Sequence, residues 1–126
     1  MAKSDFENLK VYQLSETLAD EIWDVVLASD RFARDTVGNQ IVRAADSIGA
    51  NIAEGAGRGS FLDNSRFTRI ARGSLKETQH FLRRAYKRKL LDDSQVNKIK
   101  PLVDSLAPML KAYPRSIGRV SNRSTA

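Results

Sequence analysis

No cysteine occurs among the 126 residues, so a disulfide framework and a thiolate metal site are both excluded. A single histidine, His80, cannot build a cluster of imidazole ligands by itself. No apolar run approaches the roughly 18 residues that a membrane-spanning helix needs. The opening "MAKSDFENLK" lacks the apolar core of a secretory signal. No stretch shows the strict two-residue alternation of a half-buried strand. What remains is a chain with 41% hydrophobic and 29% charged residues, the balance of an ordinary globular domain. The expectation is a cytoplasmic protein with no structural metal, no cofactor and no membrane partner.

The net charge of +6 is unevenly spread. Residues 1–65 carry 6 basic and 11 acidic side chains, net −5. Residues 66–89 carry 9 basic side chains against Glu77 alone, net +8. So sharp a division points to a polyanionic partner, to an oligomer that pairs the two halves, or to both.

Four segments repeat apolar residues at three- and four-residue steps, the mark of amphipathic helices. The first, about Val11 to Ser29, carries Leu14, Leu18, Ile22 and Val25. The second, about Asp35 to Glu54, carries Val37, Ile41, Ala44, Ile48 and Ile52. The third, about Leu62 to Lys89, runs through Phe67, Ile70, Ala71, Leu75, Thr78, Leu82, Ala85 and Tyr86. The fourth starts near Ser94, a candidate N-cap, and carries Val96, Ile99, Val103, Leu106 and Leu110. Four such helices with short connections predict an all-α, antiparallel up-down four-helix bundle over residues 1–114. Pro101 and Pro108 interrupt the fourth, which is expected to kink or break at Pro101. Residues 115–126 lose periodicity and read as a basic, mobile tail with Arg115, Arg119 and Arg123.

The stretch "NIAEGAGRGS" invites comparison with a phosphate-binding loop. Its glycines follow a helix rather than a strand, and no lysine comes next, so the pattern fails as a P-loop or dinucleotide fingerprint. Gly55 is expected as a left-handed residue ending the second helix, with Ser60 and Asp63 capping the third.

"QIVRAADSIGANIAEGAGRGS" and "RFTRIARGSLKET" resemble the bacterial four-helix-bundle proteins encoded in intervening sequences of 23S rRNA genes. "FENLKVYQLSETLADEIW" is similar to that family's first helix, so the resemblance spans about residues 6 to 113. It implies a cytosolic four-helix bundle assembling into a ring-like homopentamer. It also implies a distant likeness to the accessory variability proteins of diversity-generating retroelements, which bind nucleic acid and a reverse transcriptase. Two departures stand out: "DRFARD" replaces the family's Phe-Pro turn after the first helix, and prolines interrupt the fourth.

On the first helix, Tyr12, Ala19, Trp23, Val26 and Leu27 form a second apolar arc beside the core stripe, and are the candidate oligomer interface. On the second, Ala45, Gly49 and Ala53 make a flat strip; the close neighbour it implies belongs either to the same bundle or to another subunit. Asn51, Glu54, Arg58 and Arg66 form a candidate polar network bracing the hairpin, with Glu54 expected to be half-buried. On the third, Arg69, Arg72, Lys76, Arg83 and Lys87 fall within about 60° of one another opposite the core. Such a one-signed ridge suits phosphate neutralisation without base reading, and no aromatic residue is placed among the cations to stack on single strands. Neither His80 nor Ser74 stands in a catalytic pattern, so no enzyme is expected. Two functions compete: low-specificity RNA or DNA binding, and a protein-binding scaffold whose basic face meets an acidic partner.

Overall fold

The computed structural model describes the backbone of residues 4–125 and the side chains of residues 4–114. Four long helices account for most of it, and no strand occurs among the described residues. Ser4 and Glu7 cap a 3-10 turn, Asp5–Asn8, that leads into α1 (Lys10–Leu27). Val11, Ser15, Leu18 and Ile22 form its buried stripe.

After α1 the segment "DRFARD" is helical from Arg31 onward. The Asp30 carboxylate accepts from the Ala33 amide at 2.9 Å and starts the single turn α2 (Arg31–Ala33). A π-helical turn, Arg34–Gly38, carries the chain without interruption into α3 (Asn39–Ala56). Gly38 sits at its end because a Cβ there would lie 2.8 Å from Val26 Cγ1 and 2.9 Å from the Ala33 carbonyl oxygen. Ile41, Ala44, Ala45, Ile48, Ile52 and Gly55 are the buried side of α3.

Gly55 is therefore not a left-handed terminator. The helix runs one residue past it, and among glycines a positive φ is found at Gly59, at 78°. Gly55 is small for another reason: a Cβ would lie 2.8 Å from Asn64 Oδ1 and 2.9 Å from Phe67 Cβ, so α3 and α4 cross closely there. The Ser60 hydroxyl accepts from the Asp63 amide at 3.1 Å and opens α4 (Phe61–Lys87). A left-handed Lys89 (φ 62°) ends it, with the Leu90 amide donating to the Ala85 carbonyl and the Lys89 amide to that of Tyr86.

The cap of α5 (Asp93–Thr125) is Asp92, not Ser94. Asp92 and Gln95 exchange reciprocal bonds, each side chain accepting from the other's amide at 2.8 and 2.9 Å. The helix does not break at Pro101. Pro101 and Pro108 are seven residues apart on its exposed side, so the carbonyls of Asn97 and Asp104, which lose their helical donors, belong to exposed residues open to water. Helical backbone continues to Thr125, through the stretch where the sequence loses its periodicity. The side chains of the expected tail, Arg115, Arg119 and Arg123 among them, lie outside the described residues.

The long helices pack in a cycle: α1 against α3, α3 against α4, α4 against α5, and α5 back against α1. Leu18, Ile22, Ile48, Ile52, Leu106 and Leu110 fill the centre, each below 2% exposed. Consequently α1 and α4 stand across the diagonal, and their outer faces look in opposite directions.

Candidate nucleic-acid interface

Apart from Leu75, the buried residues of α4 are small or hydroxyl-bearing: Thr68, Ala71, Ser74, Thr78 and Ala85. Its buried hydroxyls are satisfied internally, Thr68 donating to the Asn64 carbonyl at 2.9 Å and Thr78 to that of Ser74 at 2.8 Å. Ile70, expected in the core stripe, is 46% exposed because this stripe is rotated toward Thr68 and away from it.

Arg69, Arg72, Lys76, Arg83 and Lys87 are all exposed on the other side. Among the described residues none of them has a carboxylate within 4.0 Å; the ion pairs join Arg31 to Asp35, Arg58 to Glu54, Arg66 to Asp63 and Lys100 to Asp104. Like charges three and four residues apart weaken a helix by a few tenths of a kcal/mol each. Exposed Gly73 lies on the same helix between Arg72 and Lys76, and a Cβ there would meet nothing within 4 Å. That glycine costs the helix up to about 1 kcal/mol relative to alanine, with no internal contact to explain it.

The outer side of α1 has the opposite sign. Glu16, Asp20 and Asp24 are exposed there beside Trp23 and Leu27, which are 53% and 58% exposed. Because α1 and α4 are diagonal partners, the protein is negative on one flank and positive on the other.

The expected interface arc divides in two. Trp23 and Leu27 point outward, whereas Tyr12, Ala19 and Val26 are partly buried against the chain's own core. Tyr12 meets the Phe6 ring edge-on at 4.9 Å and lies 3.4 Å from where a Gly49 Cβ would stand; Val26 presses on Gly38. Ser15 Oγ, at 3.1 Å from the same Gly49 position, completes the explanation of the small strip: its close neighbour is α1 of the same chain.

The expected polar network forms in part. Glu54 keeps 54% of its side chain exposed and pairs with Arg58, just past the end of α3, at 2.7 Å. The Arg58 guanidinium lies 4.9 Å over the Phe67 ring. Arg66 does not join them; it faces Asp63, 3.9 Å away on its own helix. Asn51 turns inward, donating to the Ser47 carbonyl at 2.8 Å and to Ser47 Oγ at 3.1 Å. Ser47 Oγ in turn meets Ser74 Oγ at 2.8 Å across the α3–α4 contact.

Two grooves flank the bundle. Between α1 and α3, Asp46 and Asp20 line an opening floored by Gly49 and Ala53. Burial, then the Asp20 charge, pushes the Asp46 carboxyl above its ordinary value. The Tyr12 phenol is pushed up by burial first, then by Glu16, Glu7 and Asp20. Between α4 and α5 runs a larger groove with Arg83, Tyr86 and Lys100 on its walls. Tyr86 was expected in the core and is 51% exposed. Its place at the edge of the periodic stripe, about 80° from the stripe's centre, was the signal for it.

Four packed helices carrying one cationic flank and one acidic, partly apolar flank define an all-α bundle protein. Residues 7–112 match the family described as 23S rRNA-intervening sequence protein, and the chain belongs to that family. A crystal structure of a protein of unknown function from the S23 ribosomal protein family of Bacteroides thetaiotaomicron shares the fold, with a TM-score of 0.72 at 23% identity. That match covers 82% of this chain and 97% of the other. No curated protein sequence matches the chain.

Proposed function

We propose that this protein is a non-enzymatic, self-associating, antiparallel up-down helical bundle that binds RNA or other nucleic acid in the cytoplasm with little sequence preference. The observation that carries the reading is the set of five exposed α4 cations with no carboxylate within 4.0 Å among the described residues. Phosphates would neutralise them and release counterions, and a row of charge on a regular helix reads no base edge. The acidic α1 flank repels a polyanion, which restricts docking to the α4 side. Short connections, residues 57–60 and 88–92, favour the up-down order.

Self-association rests on Trp23 and Leu27, which a solitary bundle would leave in water. The family resemblance favours a ring of five. Filter binding of a structured RNA across a salt series tests the nucleic-acid reading. Five phosphate contacts give a slope near about −4.5, hence a loss of several hundredfold between about 50 and 200 mM salt. A flat response, or no binding at low salt, overturns it.

A protein-binding scaffold is the second reading, favoured by exposed Ile70 and Leu62 beside Gly73 and Arg66 on α4. In that case protein recovered from cells carries an acidic protein partner and no RNA.

A further inference from the structure

The geometry points to the α4–α5 groove as a slot for one unpaired nucleotide of the nucleic acid held on the ridge, a site that rests on the binding reading above. The groove offers about 430 Å³, enough for a nucleotide. Leu91, Val96, Ile99 and Val103 give it an apolar floor, and the half-exposed Tyr86 ring lines it from α4. The Tyr86 hydroxyl donates to Asp93 Oδ1 at 3.4 Å, a contact at the far end of the ring rather than on its face.

Cations stand where a phosphate attached to such a base would fall. Arg83 belongs to both groove and ridge and has no carboxylate within 4.0 Å among the described residues. Lys87 follows it one turn on, whereas Lys100 on the α5 wall is already held by Asp104 at 2.6 Å. Gln79 Oε1 lines the same groove, buried and without a donor. A strand tracking the ridge therefore passes the groove mouth at Arg83, and an extruded base meets an aromatic face and an apolar floor. Stacking of this kind tolerates any base.

The test uses the full chain and two RNA hairpins of equal length and charge, one fully paired and one with a single 2-aminopurine bulge. The bulged RNA should bind about tenfold more tightly, with its fluorescence quenched. Tyr86→Ala should erase that preference and the quenching while leaving affinity for the paired RNA unchanged. Tyr86→Phe, which keeps the stacking face, should retain both. Equal affinity of the wild type for the two RNAs, or equal weakening of both by Tyr86→Ala, overturns the slot and leaves the ridge standing. Failure to bind either RNA at low salt overturns the ridge reading and the slot together.

Discussion

Ser47 Oγ on α3 and Ser74 Oγ on α4 lie 2.8 Å apart, and Asn51 donates to Ser47 from the turn beyond. The two sequence stretches that carry the family resemblance thus meet each other. Small residues let the helices approach, and the hydroxyl pair fixes their register. These motifs are packing devices of the α3–α4 hairpin, where the bundle has its most extensive helix contact.

Ser74→Ala should cost about 1 kcal/mol, since it removes one half-buried hydrogen bond while Asn51 still serves Ser47. A double-mutant cycle with Ser47→Ala, read by urea unfolding, should show a coupling above about 0.5 kcal/mol. Additive effects would mean that the pair contributes nothing to the crossing.

Two glycines on neighbouring helices should respond in opposite directions. Gly55→Ala forces a Cβ to within 2.9 Å of Phe67 Cβ and 3.2 Å of the Asn64 carbonyl oxygen, and should destabilise by about 1–3 kcal/mol. Gly73→Ala meets nothing and should stabilise the single bundle by up to about 1 kcal/mol. Thermal unfolding of the two variants at equal concentration checks both signs. Destabilisation by Gly73→Ala would mean that something already packs on that face.

The helices were legible because each carries a complete apolar repeat, from Leu18 and Ile22 on α1 to Leu106 and Leu110 on α5. Their ends and exceptions were less so. Gly55 looked like a terminator because glycine serves both φ freedom and close approach, and the sequence does not say which. Pro101 looked like a kink or a break because spacing alone does not say that the carbonyl it orphans belongs to an exposed residue. The ridge from Arg69 to Lys87 was readable as charge at helical spacing. Tyr86 was readable only as the edge of the α4 apolar repeat, about 80° from its centre, where a ring can fall on either side of the burial boundary and the spacing does not say which.

Asp46→Asn should stabilise the protein near about pH 7 by less than about 0.5 kcal/mol, with no gain near about pH 3. The folded carboxyl sits above the ordinary value of 3.8, so the folded state holds its proton more tightly than the unfolded chain. This group therefore lowers stability as pH rises from its ordinary value through the raised one, and contributes nothing when both states are protonated. Asp20→Asn should remove part of the effect, because the Asp20 charge is the second cause of the shift. Urea unfolding at the two pH values decides it; a larger gain at low pH would reverse the sign.

Trp23→Lys should reduce the mass in solution to that of one chain while leaving helix content intact, because the side chain is 53% exposed and contributes little to the internal core. Tyr12→Ala should behave differently. That ring packs on Phe6 and Gly49 within the chain, so its loss lowers stability rather than disrupting assembly. The ridge provides the third arm: Arg69→Glu, Arg72→Glu and Lys76→Glu together should weaken RNA binding and flatten its salt dependence without altering the mass. Trp23→Lys should weaken RNA binding as well, since one chain cannot offer several ridges to one polyanion, yet the salt slope per bound chain should persist. If the triple charge reversal instead dissociates the assembly, the α4 cations lie between subunits, facing the acidic flank of α1 in the next copy, and the ridge is a subunit contact rather than a nucleic-acid surface.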